Sequence, residues 1–200
     1  IKVAAIFNKK AALWISGRKL FFENLPPITA ERVQWFHCAS LGEFEQARPL
    51  IESWNEKYPE DFILVTFFSP SGYEIQKNYT EADYVCYLPL DTRKNANRFV
   101  KHFNPTNVFF IKYEFWLNFI DAANRNNTKL FSVSTLLRPN QRFFKWYGGV
   151  FRKRLSYFSH FFVQNEATAD LLSSIRINNK TVTGDTRFDR VYNRTVNHFE

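Results

Sequence analysis

The chain has 200 residues, enough for one α/β domain with a sizeable core, and its 45% hydrophobic and 18% aromatic content, with 23 Phe and no Met, excludes a disordered chain and predicts a core built mainly of rings. A formal net charge of +8 and a sequence pI near 9.5 draw it toward anionic partners such as nucleic acid, acidic lipid or phosphorylated substrate, without choosing among them. Cys38 and Cys86 stand far apart, outside any metal-ligand spacing, and read as reduced core thiols of a cytosolic protein.

Along the chain, no run of about 18 apolar residues occurs, so nothing in it is expected to span a bilayer as a helix. It begins at Ile1 without an initiator Met, which suggests that something upstream has been removed. Residues 2–19 set Lys2, Lys9, Lys10, Arg18 and Lys19 among Val3, Ile6, Phe7, Leu13, Trp14 and Ile15. That mixture suits an interfacial segment or the basic flank after a lost membrane anchor, and equally an amphipathic helix packed on its own domain. Residues 1–30 are therefore expected to form a basic amphipathic segment, 31–184 the folded domain, and 185–200 the start of a linker, with a second domain absent.

Within 31–184, apolar runs of strand length alternate with amphipathic stretches of helix length, the pattern of a βαβ succession. Strands are expected near 32–39, 62–68, 83–88, 107–112, 129–135, 159–164 and 180–183, and helices near 43–58, 71–79, 92–103, 114–126, 141–157 and 166–174. The fold class is α/β, a Rossmann-like doubly wound parallel sheet with right-handed crossovers.

In such a sheet the strand-to-helix loops open on one edge, outside the carboxyl ends of the strands. Here they carry Ser40-Leu41-Gly42-Glu43, Ser69 to Gly72, Pro89-Leu90-Asp91, Lys112-Tyr113-Glu114, Ser134 to Arg138, Gln164-Asn165-Glu166 and Thr183-Gly184-Asp185. Much of this is helix-capping chemistry. In the first loop Gly42 would permit a tight turn and Glu43 would project from the first helical turn, either as a charge–dipole contact or as a general base for an attacking hydroxyl. Glu114, read as the first residue of the helix after the fourth strand, would lie on the same edge and could hold a substrate hydroxyl or amine.

The stretch from Arg138 to Arg154 contains Arg138, Arg142, Lys145, Arg152, Lys153 and Arg154 and no acidic residue. At about 100° per residue it gives one apolar stripe of Phe144, Tyr147, Phe151, Leu155 and Phe158. Arg142, Lys145, Arg152 and Lys153 fall on the far side, with Trp146 at its margin, and Gly148 and Gly149 interrupt the helix or permit a close approach there. The basic face is either simply solvated or a surface for phosphates and lipid headgroups. No recognition-helix or RNP-type signature accompanies it, so nucleic acid is not the expected partner. The glycines form neither a P-loop nor a dinucleotide fingerprint. His37 reads as a satisfied core histidine, His102, His160 and His198 show no ligand spacing, and no metal is expected.

Taken in order, Trp35-Phe36-His37-Cys38-Ala39-Ser40-Leu41-Gly42-Glu43, Thr66 to Gly72, Glu114-Phe115-Trp116, Gln164-Asn165-Glu166 and Thr183-Gly184-Asp185-Thr186-Arg187-Phe188-Asp189 resemble the N-terminal domain of Kdo transferases, enzymes that transfer 3-deoxy-D-manno-oct-2-ulosonic acid. The resemblance implies the N-terminal half of a GT-B glycosyltransferase, CMP-Kdo as donor and no cofactor. It also implies a lipid A precursor as acceptor, inversion at the anomeric carbon without a required metal, and work at the cytoplasmic face of the bacterial inner membrane. Glu43 falls on the family's catalytic base in S-x-G-E. Ser40, Gly42, Glu114 and Arg138 fall to the acceptor side, and Arg142, Lys145, Trp146, Arg152 and Lys153 to a membrane or phosphate surface. Where the family commonly reads E-T-E-x-W-P, this chain has Lys112-Tyr113-Glu114-Phe115-Trp116-Leu117, and an Arg often found after the fifth strand is Leu136, with Arg138 two positions later. Competing readings are a GT-B acceptor domain for another donor and a non-enzymatic basic domain that docks on membranes.

Overall fold

The structure is a computed structural model describing residues 8–185. Helix α1 (Lys9–Ser16) and a 3-10 turn (Phe21–Glu23) precede the alternating region. There follow β1 (Val33–Cys38), α2 (Leu41–Lys57), β2 (Phe62–Phe67), α3 (Pro70–Gln76), β3 (Tyr84–Tyr87), α4 (Arg93–Phe103) and β4 (Asn107–Ile111). The second half holds α5 (Leu117–Arg125), β5 (Lys129–Thr135), a 3-10 turn (Arg142–Phe144), α6 (Gly149–Leu155), β6 (Phe158–Val163), α7 (Glu166–Ser174) and β7 (Lys180–Val182).

All seven strands pair in parallel, in the order β3-β2-β1-β4-β5-β6-β7. The chain thus winds outward from β1 to β3, crosses back, and winds outward the other way from β4. That reversal sends helices to opposite faces. Trp35, Leu64, Val108, Phe110 and Phe161 pack with α4 to α7 on one face, while Phe36, Ile63, Val65, Phe109 and Val133 pack with α2 on the other. The alternation of Trp35 and Phe36 between the two cores is the period-2 pattern of a strand buried on both sides.

Aromatic rings fill both cores, as the composition predicts. Phe36, Phe109 and Phe131, aligned across β1, β4 and β5, stack at 4.7 and 5.2 Å between centroids. On the other face Trp35 meets Phe99, Phe110 and Phe119 at 4.8–5.8 Å. Both cysteines are buried free thiols.

The N-terminal helix folds back onto the domain. Its first turn is capped by Asn8, whose side chain accepts from the Lys10 N–H at 2.9 Å. Just past its end, Arg18 donates to Leu88 O, Phe68 O and Trp14 O, and its guanidinium lies 4.3–4.8 Å from the rings of Trp14, Phe68 and Tyr87. Burial lowers the Arg18 pKa to about 10, still far above neutrality, so it binds as a cation.

Two expected helices differ. The one expected from Glu114 begins at Leu117, because Lys112 adopts a left-handed backbone (φ 63°) that turns the chain aside as it leaves β4. Glu114 therefore lies in the loop and is not a helix-starting residue. The one expected over 141–157 is broken into the 3-10 turn and the seven-residue α6, with Lys145 extended between them (ψ 153°). A Cβ at Gly148 would collide with Arg142 O, so the chain turns back on itself there, and only glycine fits. The apolar stripe is accordingly not one face: Phe144 and Phe151 are half-buried, Leu155 is buried, Tyr147 is exposed, and Phe158 belongs to β6.

Candidate active site

The sheet reverses its winding between β1 and β4, and the crevice outside the carboxyl ends of those two strands is where open α/β sheets bind ligands. The loop after β1 delivers Glu43 and the loop after β4 delivers Glu114. Ser40 has extended backbone as the N-cap of α2, and Ser40 and Glu43 close a reciprocal capping box in which Glu43 Oε2 accepts the Ser40 N–H at 3.0 Å. Glu43 is 6% exposed. Burial pushes its carboxyl pKa up, and the Ser40 N–H and the positive charge of Lys112 oppose that rise. The helix-cap and base readings of Glu43 are thus compatible, because the cap fixes the carboxyl at the strand tips.

Glu114 is pushed up to about 7, first by burial and then by the Glu43 charge, while Trp116 and Lys112 act in the other direction. The Trp116 indole N–H lies close enough to oppose the rise but is buried without a partner of good hydrogen-bonding geometry. The electrostatics therefore bring Glu43, Glu114 and Lys112 into one group, two carboxyls and one ammonium. Lys112 is not among the site residues expected from sequence. Its signal is its place at a strand tip where the family pattern has a carboxylate.

Gly42 is not at a tight turn. It is the second residue of α2, and a Cβ there would meet nothing within 4 Å, so its contribution is open space over the helix start beside Glu43. The close approach belongs to Gly72, where a Cβ would collide with the Phe67 ring and so keep α3 from seating against the tip of β2.

Beneath the crevice, His37 is fully buried and held neutral, its pKa lowered to about 3, chiefly by burial and further by Arg18. Thr66 Oγ1 accepts the Trp35 indole N–H at 2.8 Å and lies 2.8 Å from His37 Nδ1. Among the described residues His37 Nε2 has no partner, and the ring lies edge-on to Trp116 at 5.7 Å. The expectation of a fully satisfied core histidine thus holds for one ring nitrogen only.

A polar brace that periodicity could not reveal closes the other side. Gln46 Nε2 donates to Ser134 Oγ at 3.2 Å and to Asp185 Oδ1 at 2.8 Å, and Gln164 Nε2 donates to the same Ser134 oxygen at 2.9 Å. Ser134 sits in the left-handed region (φ 53°), which re-aims the end of β5. This brace ties α2, β5, β6 and the chain after β7 together at the strand tips.

Arg138 lies exposed in the loop after β5, its N–H donating to Gln141 Oε1 at 3.0 Å. Between this loop and the Glu114 loop is a cavity of about 370 Å³ lined by Tyr113, Phe115, Leu117, Gln141, Arg142 and Phe143, among others; Glu43 is not in its wall. Trp146 is 92% exposed and Lys153 is exposed, whereas Arg152 folds inward and donates to Phe143 O and Lys145 O. Arg154 is spent on Asp121, at 2.8 and 3.0 Å. The predicted basic surface is therefore not one helix face. His198 and the motif from Thr186 to Asp189 lie outside the described residues.

Comparison with known proteins agrees with this architecture. The chain is 34% identical over 131 residues to a 3-deoxy-D-manno-octulosonic acid transferase of Chlamydia muridarum, covering 62% of this chain and 29% of the relative. It is 34% identical over 105 residues to one of Aquifex aeolicus, covering 51% and 28%. The chain thus matches less than a third of these relatives' own lengths. Among solved structures, a UDP-N-acetylglucosamine 2-epimerase superposes with a TM-score of 0.58 at 17% identity, over 79% of this chain and 49% of that one. The Neisseria meningitidis UDP-GlcNAc 2-epimerase does so at 0.55 and 17%, over 78% and 47%. At that identity the likeness is one of fold alone. A sequence model of the family described as 3-deoxy-D-manno-octulosonic-acid transferase (kdotransferase) matches residues 16–190, and the chain belongs to that family.

Proposed function

We propose that this chain is the acceptor-side domain of an inverting glycosyltransferase that moves Kdo from CMP-Kdo to a lipid A precursor in lipopolysaccharide biosynthesis, at the cytoplasmic face of the bacterial inner membrane. The observation that supports it most is the pair of carboxyls flanking the switch point of the sheet, Glu43 after β1 and Glu114 after β4, with the Lys112 charge acting on both.

A sugar hydroxyl is a weak nucleophile until its proton is accepted. Glu43 takes that proton as the hydroxyl oxygen attacks the anomeric carbon of Kdo, the bond from that carbon to the CMP phosphate breaks on the opposite side, and CMP departs with the electron pair. Base catalysis of this kind supplies about 10²–10⁴-fold. A base needs to be ionised yet strong, and partial burial opposed by the Ser40 N–H and Lys112 meets both demands. Glu114, near neutrality in its titration, binds an acceptor hydroxyl in either protonation state, as acceptor when ionised and as donor when protonated. The open space over Gly42 is the approach for the acceptor, and Arg138 with Arg142 stands where acceptor phosphates would lie.

The donor nucleotide is held mostly outside this domain, in keeping with a chain that matches less than a third of its relatives' lengths. Residues 1–200 alone are expected to show negligible turnover. The reading is tested by joining this chain to a donor-binding half and supplying CMP-Kdo with a lipid A precursor. A Kdo-bearing lipid product is expected. Transfer from a different sugar nucleotide only would reassign the donor, and membrane binding with no transfer from any donor would leave a docking domain.

A further inference from the structure

The break in the basic segment builds something that an unbroken helix would not. Because the chain doubles back at Gly148, the Arg152 guanidinium packs under the glycine turn, and Arg152 Nη1 donates to Phe143 O at 2.9 Å and Lys145 O at 2.8 Å. Those two bonds fix the plane of the fork while its Nε and Nη2 make no hydrogen bond within the described residues. Beside it is a cavity of about 380 Å³ lined by Phe144, Lys145, Trp146, Arg152, Ile175 and Arg176, among others, with no acidic side chain in its wall. Arg176 is brought there by a left-handed turn (φ 66°) just after α7. Among the described residues none of the three cations forms an ion pair, unlike Arg154 close by. At its rim Trp146 is 92% exposed, and Tyr147 and Val150 are more than half exposed.

We propose that Lys145, Arg152 and Arg176 form a pocket for the phosphate of a bilayer lipid headgroup, with Trp146 seated at the membrane interface beside it. A guanidinium held in plane by two carbonyls is prepared for two-point bonding to phosphate oxygens, which a lysine ammonium cannot reproduce. The exposed indole favours a bilayer over a soluble phosphate, since tryptophan partitions to the headgroup level. The membrane setting rests on the functional reading above, but vesicle binding is measured without turnover, so failure of the pocket and failure of Kdo transfer are told apart.

The purified protein is mixed with phosphatidylcholine vesicles carrying either phosphatidic acid, with its exposed terminal phosphate, or phosphatidylglycerol at matched surface charge, and the bound fraction is read by sedimentation. Tighter binding to phosphatidic acid is expected, falling about fivefold in Arg176→Gln and by a similar factor in Arg152→Lys, which keeps the charge and loses the fork. Equal binding to both vesicles, or an Arg152→Lys protein that binds like the parent, overturns the pocket. Should Arg152→Lys fail to fold, Arg176→Gln decides, and a loss no larger than that from Lys94→Gln on α4 overturns it. Trp146→Ala is expected to weaken vesicle binding. If it does not, and inorganic phosphate displaces the protein from vesicles, the bilayer assignment falls.

Discussion

Glu114 carries the largest carboxyl pKa displacement that has a direct bearing on function, and its sign makes a stability prediction. Burial and the Glu43 charge raise its folded pKa to about 7, above the ordinary carboxylate value. Between those values the folded protein binds more protons than the unfolded chain, so this group's contribution to stability is greatest below the unfolded pKa and is lost as pH rises toward 7. Glu114→Gln removes the ionisation. The variant is expected to melt higher than the parent at pH 8, by a few degrees, with the gap closing near pH 4; a gap independent of pH would show that ionisation is not its source. Gly42 separates fold from function in another way. With no atom of the described residues beyond its own helix turn and chain neighbours within 4 Å of where a methyl group would stand, and a helical backbone, Gly42→Ala is expected to stabilise the fold by about 0.5–1 kcal/mol in chemical denaturation while raising KM for the acceptor. At this scale the sequence is legible for Glu43, whose S-x-G-E context sets it in the first helical turn after a strand tip, although the reciprocal capping box with Ser40 emerges only in the structure. It is not legible for Lys112, Ser134 or His37, because a left-handed backbone and an unpaired ring nitrogen arise from tertiary surroundings.

At the scale of elements, the strands fall within a residue or two of their expected bounds, since continuous apolar runs bounded by polar loops leave little choice of boundary. The failure over 141–157 has a specific cause. Helical periodicity continues past Gly148-Gly149, two residues that interrupt a helix or permit a close approach, and the turn is held there by two carbonyl bonds from the Arg152 guanidinium. The two glycines should therefore respond differently. Gly148→Ala forces a methyl against Arg142 O and is expected to destabilise by roughly 1–3 kcal/mol, whereas Gly149→Ala, with its nearest neighbour 3.9 Å away at the start of α6, should be neutral or stabilising. Unfolding midpoints of the pair check this. Helix α1 makes a similar test, because Arg18, packed on Trp14 of that helix, fastens it to the domain through two carbonyls, Leu88 O and Phe68 O, and two rings, Phe68 and Tyr87. Arg18→Ala is expected to cost roughly 2–3 kcal/mol and to speed amide exchange across Lys9–Ser16 before the rest of the domain. Exchange that stays as slow as in the parent would mean that the helix is held by its other contacts.

For the whole molecule, alternation of elements predicts a doubly wound sheet, but the position of the switch point depends on β1 pairing with β4, a contact between segments some seventy residues apart. That pairing sets Glu43 and Glu114 on one crevice, and no local pattern contains it. The net charge of +8 likewise says that an anion is sought without saying where, while the fold pairs some cations with carboxylates, as Arg154 with Asp121 and Arg32 with Asp61, buries Arg18 as an anchor, and leaves Lys145, Arg152 and Arg176 by α6 without an ion pair among the described residues. Whether Glu43 is the base is decided most cleanly by its glutamine variant, since glutamine at this helix position can still accept the Ser40 N–H and complete the capping box. Single-turnover Kdo transfer is measured from pH 5 to 9 in the enzyme with both domains. Glu43→Gln is expected to slow the step by about 10²–10⁴-fold, to abolish the rise of rate with pH, and to leave the unfolding midpoint within a degree or two of the parent. A variant that transfers Kdo within a few-fold of the parent rate, with the same pH profile, would mean that some other group accepts the proton.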